Sequence, residues 1–197
     1  MNSLSLSARL EKKILLEGKE YLFFNGTSYL GLDGLDAYGR IVESNMQNWG
    51  MHHGLSRTNN VRLAIYDAFE EIFSTRAGAA GGALFSSGYL AGIAASQYLF
   101  ARANQTWAAP DTHSAILPSG VQADSSLSFS QWTQACLEKA ARLPSQKILI
   151  LGNAVDPLKA AVHTYDWVLP IASKHEVTLL IDDSHAFGVL GNGLFGT

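Results

Sequence analysis

Apolar and polar positions alternate with two different periods along this chain. From Asp36 to Gln47, and again from Val61 to Thr75, apolar residues recur every three or four positions, as in Leu63, Tyr66, Phe69, Ile72 and Phe73. That spacing predicts two amphipathic helices, joined by the loop WGMHHGLSRTNN. The opening LSLSARLEKKILLEGKEYLFFNG predicts a short helix, a turn at Gly18 and a strand from Tyr21 to Phe24, with YLFF half or fully buried.

Beyond residue 80 short apolar runs take turns with helical patterns. The predicted order is strand GALFS (82–86), helix YLAGIAASQYLFAR (89–102), strand QTWAAPD, a short helix near His113 and a helix over 130–143. Strand KILILG (147–152), a helix from about Trp167 to His175 and strand VTLLID (177–182) complete it. Strands separated by helices require crossover connections, so the fold class is α/β, with a mostly parallel sheet sandwiched by helices. The β-branched, uninterrupted apolar runs KILILG and VTLLID are predicted as central strands.

Ligands of such sheets bind beyond the carboxyl ends of the strands. Three strand ends carry polar residues there: Ser86-Ser87-Gly88-Tyr89, Asp111-Thr112-His113 and Asp182-Asp183-Ser184-His185. Convergence of the three on one site is the expectation.

Composition narrows the classes. The chain has 197 residues, 47% hydrophobic and 16% charged, the balance of a soluble globular protein. A net charge of −3 without long runs of one sign gives no footprint for nucleic acid or an anionic membrane surface, and no apolar run is long enough to span a membrane. Cys136 is the one cysteine. It lies on the amphipathic pattern QWTQACLEKAARL, which predicts a buried thiol, and a cytoplasmic setting is expected.

The strand ends admit more than one chemistry. Ser87 and Gly88 directly before a helix make either an ordinary N-cap or, with the first-turn N–H groups and the dipole, an anion seat. A carboxylate at Asp182, ending a buried strand, needs a cationic partner, because an unpaired buried charge costs several kcal/mol. Asp183 or Ser184 could instead cap a turn, and Asp182, Asp183 and His185 could ligate a metal, although no further cluster has ligand spacing. His113 alone reads more readily as a hydrogen-bonded structural histidine than as a functional one, and His52 and His53 share an exposed glycine-flanked loop. Gly191-Asn192-Gly193-Leu194-Phe195-Gly196 matches a dinucleotide fingerprint but neither follows its strand directly nor opens a helix.

Taken together, FFNGTSYLGL (23–32), GLSR (54–57), ALFSSGYLAGIAA (83–95), PDTHSAILPSG (110–120) and LLIDDSHAFGVLG (179–191) resemble, in order, the α-oxoamine synthase family of pyridoxal-phosphate (PLP) enzymes. The resemblance implies the large domain of PLP fold type I, over residues 51–197, preceded by an N-terminal arm and lead-in helices over 1–50. It implies that Ser87, Gly88 and Tyr89 belong to the phosphate loop, that His113 stacks on the pyridine ring, that Asp182 pairs with the ring nitrogen and that His185 lies beside the ring hydroxyl oxygen. The implied reaction joins an amino acid to an acyl-CoA, releasing CoA and usually CO2 and leaving an amino ketone. A class II aminotransferase and a non-catalytic remnant or binding module are the alternatives.

The departures are specific. The family's cofactor-binding lysine lies some tens of residues beyond the motif at 182–185, whereas no lysine follows Asp182 here and the last one is Lys174. The expectation is therefore a domain cut before the lysine strand, inactive by itself, that associates as a homodimer or with a complementing C-terminal half. Thr27 stands where relatives usually carry Asn, Tyr66 where a helix histidine is common, and Asp156-Pro157-Leu158 where the family has Ser-Met-Asp.

Overall fold

A computed structural model describes residues 5–7, 10–54, 56–191 and 196. The chain divides into two compact units, Met1–Arg62 and Leu63–Thr197. Leu55, inside the GLSR segment, and residues 192–195, inside the Gly191–Gly196 pattern, lie outside the described residues.

In the first unit, β1 (Lys13–Leu16) pairs antiparallel with β2 (Lys19–Leu22), Leu16 opposite Lys19. The intervening Glu17 and Gly18 both have positive φ, 50° and 76°. Two left-handed residues give the mirror-image turn whose twist matches a hairpin. The helix predicted over the opening is thus corrected where KILL forms a strand. Ile14 and Leu16 are half-buried while Lys13 and Leu15 are exposed, a period of two, and a two-residue turn places a pairing partner immediately next in sequence. The expected burial of YLFF is also corrected. Leu22 and Phe24 are exposed, since a two-stranded ribbon offers a strand little cover. Helix α1 spans Asp36–Trp49 as its spacing predicts and stops at Gly50, with φ of 78°.

The second unit runs α2 (Ala64–Arg76), α3 (Gly88–Phe100), β3 (Gln105–Ala108), α4 (Phe129–Arg142), β4 (Lys147–Asn153), β5 (Val155–Asp156), β6 (Ala161–Val162), α5 (Leu169–Ala172) and β7 (Glu176–Asp182). Strands β3, β4 and β7 form a parallel sheet in the order β3-β4-β7, and β5 and β6 form a small antiparallel pair. Alternate residues of β4 serve two layers. Ile148 and Ile150 pack with Trp107, with Trp132 and Cys136 of α4 and with Ile171 of α5. Leu149 and Leu151 pack with Ala108, Ile116, Leu180 and Leu99 of α3. This two-sided cover is the helix-sandwiched α/β arrangement the strand–helix alternation predicts.

Helix α4 sits on the sheet with both ends closed. Ser128 and Gln131 form a capping box, each side chain accepting the other's backbone N–H. At the far end Lys174 Nζ donates to the Ala141 carbonyl at 2.9 Å, and His175 Nε2 lies 3.0 Å from the Ala140 carbonyl, which makes that nitrogen the protonated one. Lys174 is therefore engaged at a helix end. Burial pushes the Cys136 thiol up to about 12, against a smaller opposite pull from the Lys139 charge.

Two strand expectations need correction. Residues 82–86 form no strand among the described residues. The Leu84 N–H donates to the Glu70 carboxylate, and without a pairing neighbour an extended segment is not a ladder. VTLLID does form β7, but as an edge strand among the described residues, with Leu179 exposed. Apolar composition reports burial on two faces and is silent about which edge is paired.

Replacing Ile150, fully buried, by Ala is expected to lower stability by about 2–5 kcal/mol. Urea titration would read this as a lower midpoint with an unchanged slope. With its pKa raised, Cys136 of the native chain should react with a thiol reagent at pH 8 far more slowly than in the urea-unfolded chain. Equal rates would contradict its burial.

Candidate cofactor site at the strand ends

Helix α3 supplies the first part. Ser87 is extended, with φ of −158°, and its hydroxyl oxygen accepts the Leu90 N–H at 3.1 Å, so the predicted cap is present. One acceptor satisfies one donor of the first turn, and the other first-turn N–H groups face outward with the positive end of the dipole. A Cβ added at Gly88 would meet no atom within 4 Å, so the backbone there borders open space.

The end of β3 supplies the second. Thr112 is buried, its hydroxyl lying 2.7 Å from the Ala109 carbonyl and 3.2 Å from that of Leu151. His113 follows with its ring about half exposed. The Tyr89 ring meets the His113 ring edge-on, centroids 6.0 Å apart, which brings the start of α3 to the end of β3.

The end of β7 supplies the third. Asp182 Oδ1 accepts the Ser184 N–H at 3.0 Å and the Ser184 hydroxyl at 2.5 Å. Asp182 Oδ2 faces His113 Nδ1 at 3.7 Å, too far for a hydrogen bond. His113 Nδ1 also accepts the Ala115 N–H at 3.3 Å. In that contact the nitrogen is the acceptor, so it is turned to the backbone of its own turn as well as toward Asp182. The carboxylate is thus about four-fifths shielded from solvent, with one oxygen satisfied and the other holding no donor among the described residues. A cationic N–H donor is what such an oxygen lacks.

Tyr89, His113 and Asp182 are therefore joined directly, while Ser87 and Gly88 arrive with the start of α3. His185 lies half-buried in the turn after β7, which the Asp183 carbonyl closes by accepting the Ala186 and Phe187 N–H groups. His52 belongs to the first unit, where its Nδ1 accepts the Gly54 N–H at 3.1 Å. Among the described residues no three His, Cys, Asp or Glu side chains gather as a metal set, and no helix is long and apolar enough to cross a membrane.

Several residues behind the strand ends escape the sequence patterns. Asp111 Oδ2 lies 2.9 Å from His163 Nε2, and the His163 ring stacks on Phe129 at 3.8 Å, 8° from parallel. Asn153 bridges back to residues 111 and 113. The Tyr165 hydroxyl donates to the Asn153 carbonyl at 2.8 Å, and burial, with the Asp111 charge adding, pushes that phenol above its usual range. Gly152 is required beneath it, since a Cβ there would collide with the Tyr165 hydroxyl. The available signal was an amide directly after four apolar residues and a glycine in KILILGN.

The site can be tested for fit to PLP. A ring needs a flat surface beside an unpaired acid, and a phosphate needs N–H donors with room in front of them. His113, Asp182 and the Ser87-Gly88 helix start present these together, so the residues fit the group.

No protein-family model matches the chain. Among curated proteins it is 27% identical over 180 residues to the 8-amino-7-oxononanoate synthase of Aromatoleum aromaticum, covering 90% of this chain and 47% of that protein. It is 25% identical over 191 residues to that of Nitrosospira multiformis, covering 96% and 48%. Among solved structures, a serine palmitoyltransferase from S. paucimobilis with PLP and myriocin bound superposes with a TM-score of 0.75 at 18% identity, over 94% of this chain and 47% of that one. The Sphingomonas wittichii serine palmitoyltransferase gives 0.75 at 17%, over 94% and 47%. The chain spans about half the length of the relatives it matches. The chain is thus similar in sequence to the N-terminal half of 8-amino-7-oxononanoate synthases, and its fold agrees with the corresponding half of serine palmitoyltransferase.

Proposed function

We propose that this chain contributes the ring- and phosphate-facing part of a PLP-dependent acyltransferase site, at which an amino acid and an acyl-CoA condense to an amino ketone, with CoA and usually CO2 released. The observation that carries the reading is the shielded Asp182 oxygen, without a donor of its own, beside the exposed His113 ring and the open start of α3. PLP, when bound, would supply an electron-accepting ring for charge developing at the α-carbon of the amino acid.

This chain's residues would prepare that ring. Asp182 would hold a proton on the ring nitrogen, and Ser184, donating twice to the other carboxylate oxygen, fixes the acid in direction. His113 presents an aromatic face for stacking, with Tyr89 bracing it edge-on. Ser87, Gly88 and Tyr89 seat the phosphate at the positive end of α3. His185 is assigned to the ring hydroxyl oxygen, following the family motif at 182–185.

Residues 51–197 are assigned to the PLP-binding domain and 1–50 to an arm with lead-in helices. The lysine that would hold the cofactor covalently is assigned to a segment outside these 197 residues. Association with a second copy or with a lysine-bearing partner half, in the cytoplasm, completes the reading. Support for association comes from exposed apolar side chains, including Leu179 on the β7 edge and Phe85.

Equilibrium dialysis of the full chain against PLP tests the reading. One-to-one uptake is expected, weakened about tenfold to a hundredfold by Asp182→Asn, the range for losing a charge-assisted hydrogen bond. Absence of uptake by the wild-type chain, or unchanged uptake by the variant, would sink the assignment. With amino acid, acyl-CoA and PLP, this chain alone is expected to release no CoA thiol. Turnover by the chain alone would remove the assignment of the lysine to another segment.

A further inference from the structure

The functional reading leaves Asn153 unused, although it is one of the few buried polar residues of the second unit. It ends β4, and its Cα is in register with that of Asp182 on β7. Its side chain is spent in two directions. Nδ2 donates to the Asp111 carbonyl at 2.5 Å, and Oδ1 accepts the His113 backbone N–H at 3.1 Å. A carbonyl only accepts and an N–H only donates, so the two partners fix the orientation of the amide without ambiguity. The residue's own carbonyl accepts the Tyr165 hydroxyl.

We propose that Asn153 is the positioning residue that sets His113 against Asp182. One amide clamps both ends of the 111–113 turn, from a position in the sheet directly beside the strand that carries the acid. The turn has other anchors, but they hold other atoms. The Thr112 hydroxyl is tied to Ala109 and Leu151, and the Asp111 carboxylate to His163, itself stacked on Phe129 of α4. Among the described residues, only Asn153 holds the backbone of His113 itself to another strand. His113 is otherwise the half-exposed start of a short helical turn, Ser114–Ile116, whose own bonds are local. Losing the amide would let the ring swing while leaving the sheet beneath intact.

The geometric claim is independent of any cofactor. Its consequence for PLP rests on the functional reading above. Amide hydrogen exchange followed by NMR reads the first, and PLP dialysis the second, both on the full chain. In Asn153→Ala the His113 amide is expected to exchange about tenfold faster, as for loss of a bond worth about 1.4 kcal/mol, with the amides of β4 and β7 unchanged. The PLP dissociation constant should rise about tenfold. Asn153→Asp keeps an acceptor for the His113 N–H but loses the donor to the Asp111 carbonyl, so it should restore only part of the His113 protection lost in Asn153→Ala. If the alanine variant does not fold, Asn153→Thr, which fills more of the space but cannot bridge both partners, is read in its place.

Unchanged exchange at His113 overturns the proposal. Faster exchange with unchanged PLP affinity also overturns it, by reducing Asn153 to a structural tie. Should the wild-type chain take up no PLP, the functional reading fails by itself. Faster His113 exchange in Asn153→Ala, partly reversed in Asn153→Asp, would then still establish what holds the histidine.

Discussion

Strand β4 is enclosed on every side: β3 and β7 occupy its two edges, and helices cover its two faces. A strand in that position can carry no polar side chain along its buried length, and Ile148 through Leu151 obey this. Polar function is displaced to its carboxyl end, where the apolar layers stop. Asn153 is the first side chain past that limit, and through the parallel register it stands level with Asp182. The placement of the strand ends follows from this enclosure, since the turn after β3 is held by hydrogen bonds to Leu151 and Asn153 of β4.

Electrostatics at the strand ends are arranged around an incomplete pair. Asp182 has one oxygen satisfied by Ser184, and a histidine nearby that stands beyond hydrogen-bond distance and accepts from its own turn. Behind it, Asp111 has its own partner in His163, and Tyr165 is held neutral by burial. Two acids at neighbouring strand ends therefore play different parts. One is closed into a structural network, and the other is left open toward a ligand.

Much of this was legible from residue order. The α/β alternation, α1, α2, α3 and α4, the buried strand KILILG, the Ser87 cap and the burial of Cys136 all follow from periodicity and cap chemistry, which are local properties. What was misread shares one cause. KILL was taken for helix because a hairpin depends on a turn, with Glu17 in a left-handed conformation that its residue type does not advertise. GALFS was taken for a strand, and VTLLID for a central one, because pairing is a relation between segments rather than a property of either. Asn153, Asp111 and His163 stand 42 and 52 residues apart in their bonded pairs, beyond any periodic pattern.

The sequence by itself determined the layered α/β class, the polar strand ends and the order of motifs that resembles one enzyme family, because burial period, caps and short motifs are written within a few residues. Only the tertiary structure decided that Asp182 stands beside His113, that Asn153 ties His113 to the sheet, and which strand edges are paired. Those facts depend on parallel register and on the direction of individual hydrogen bonds, which arise only when segments distant in the chain are brought side by side.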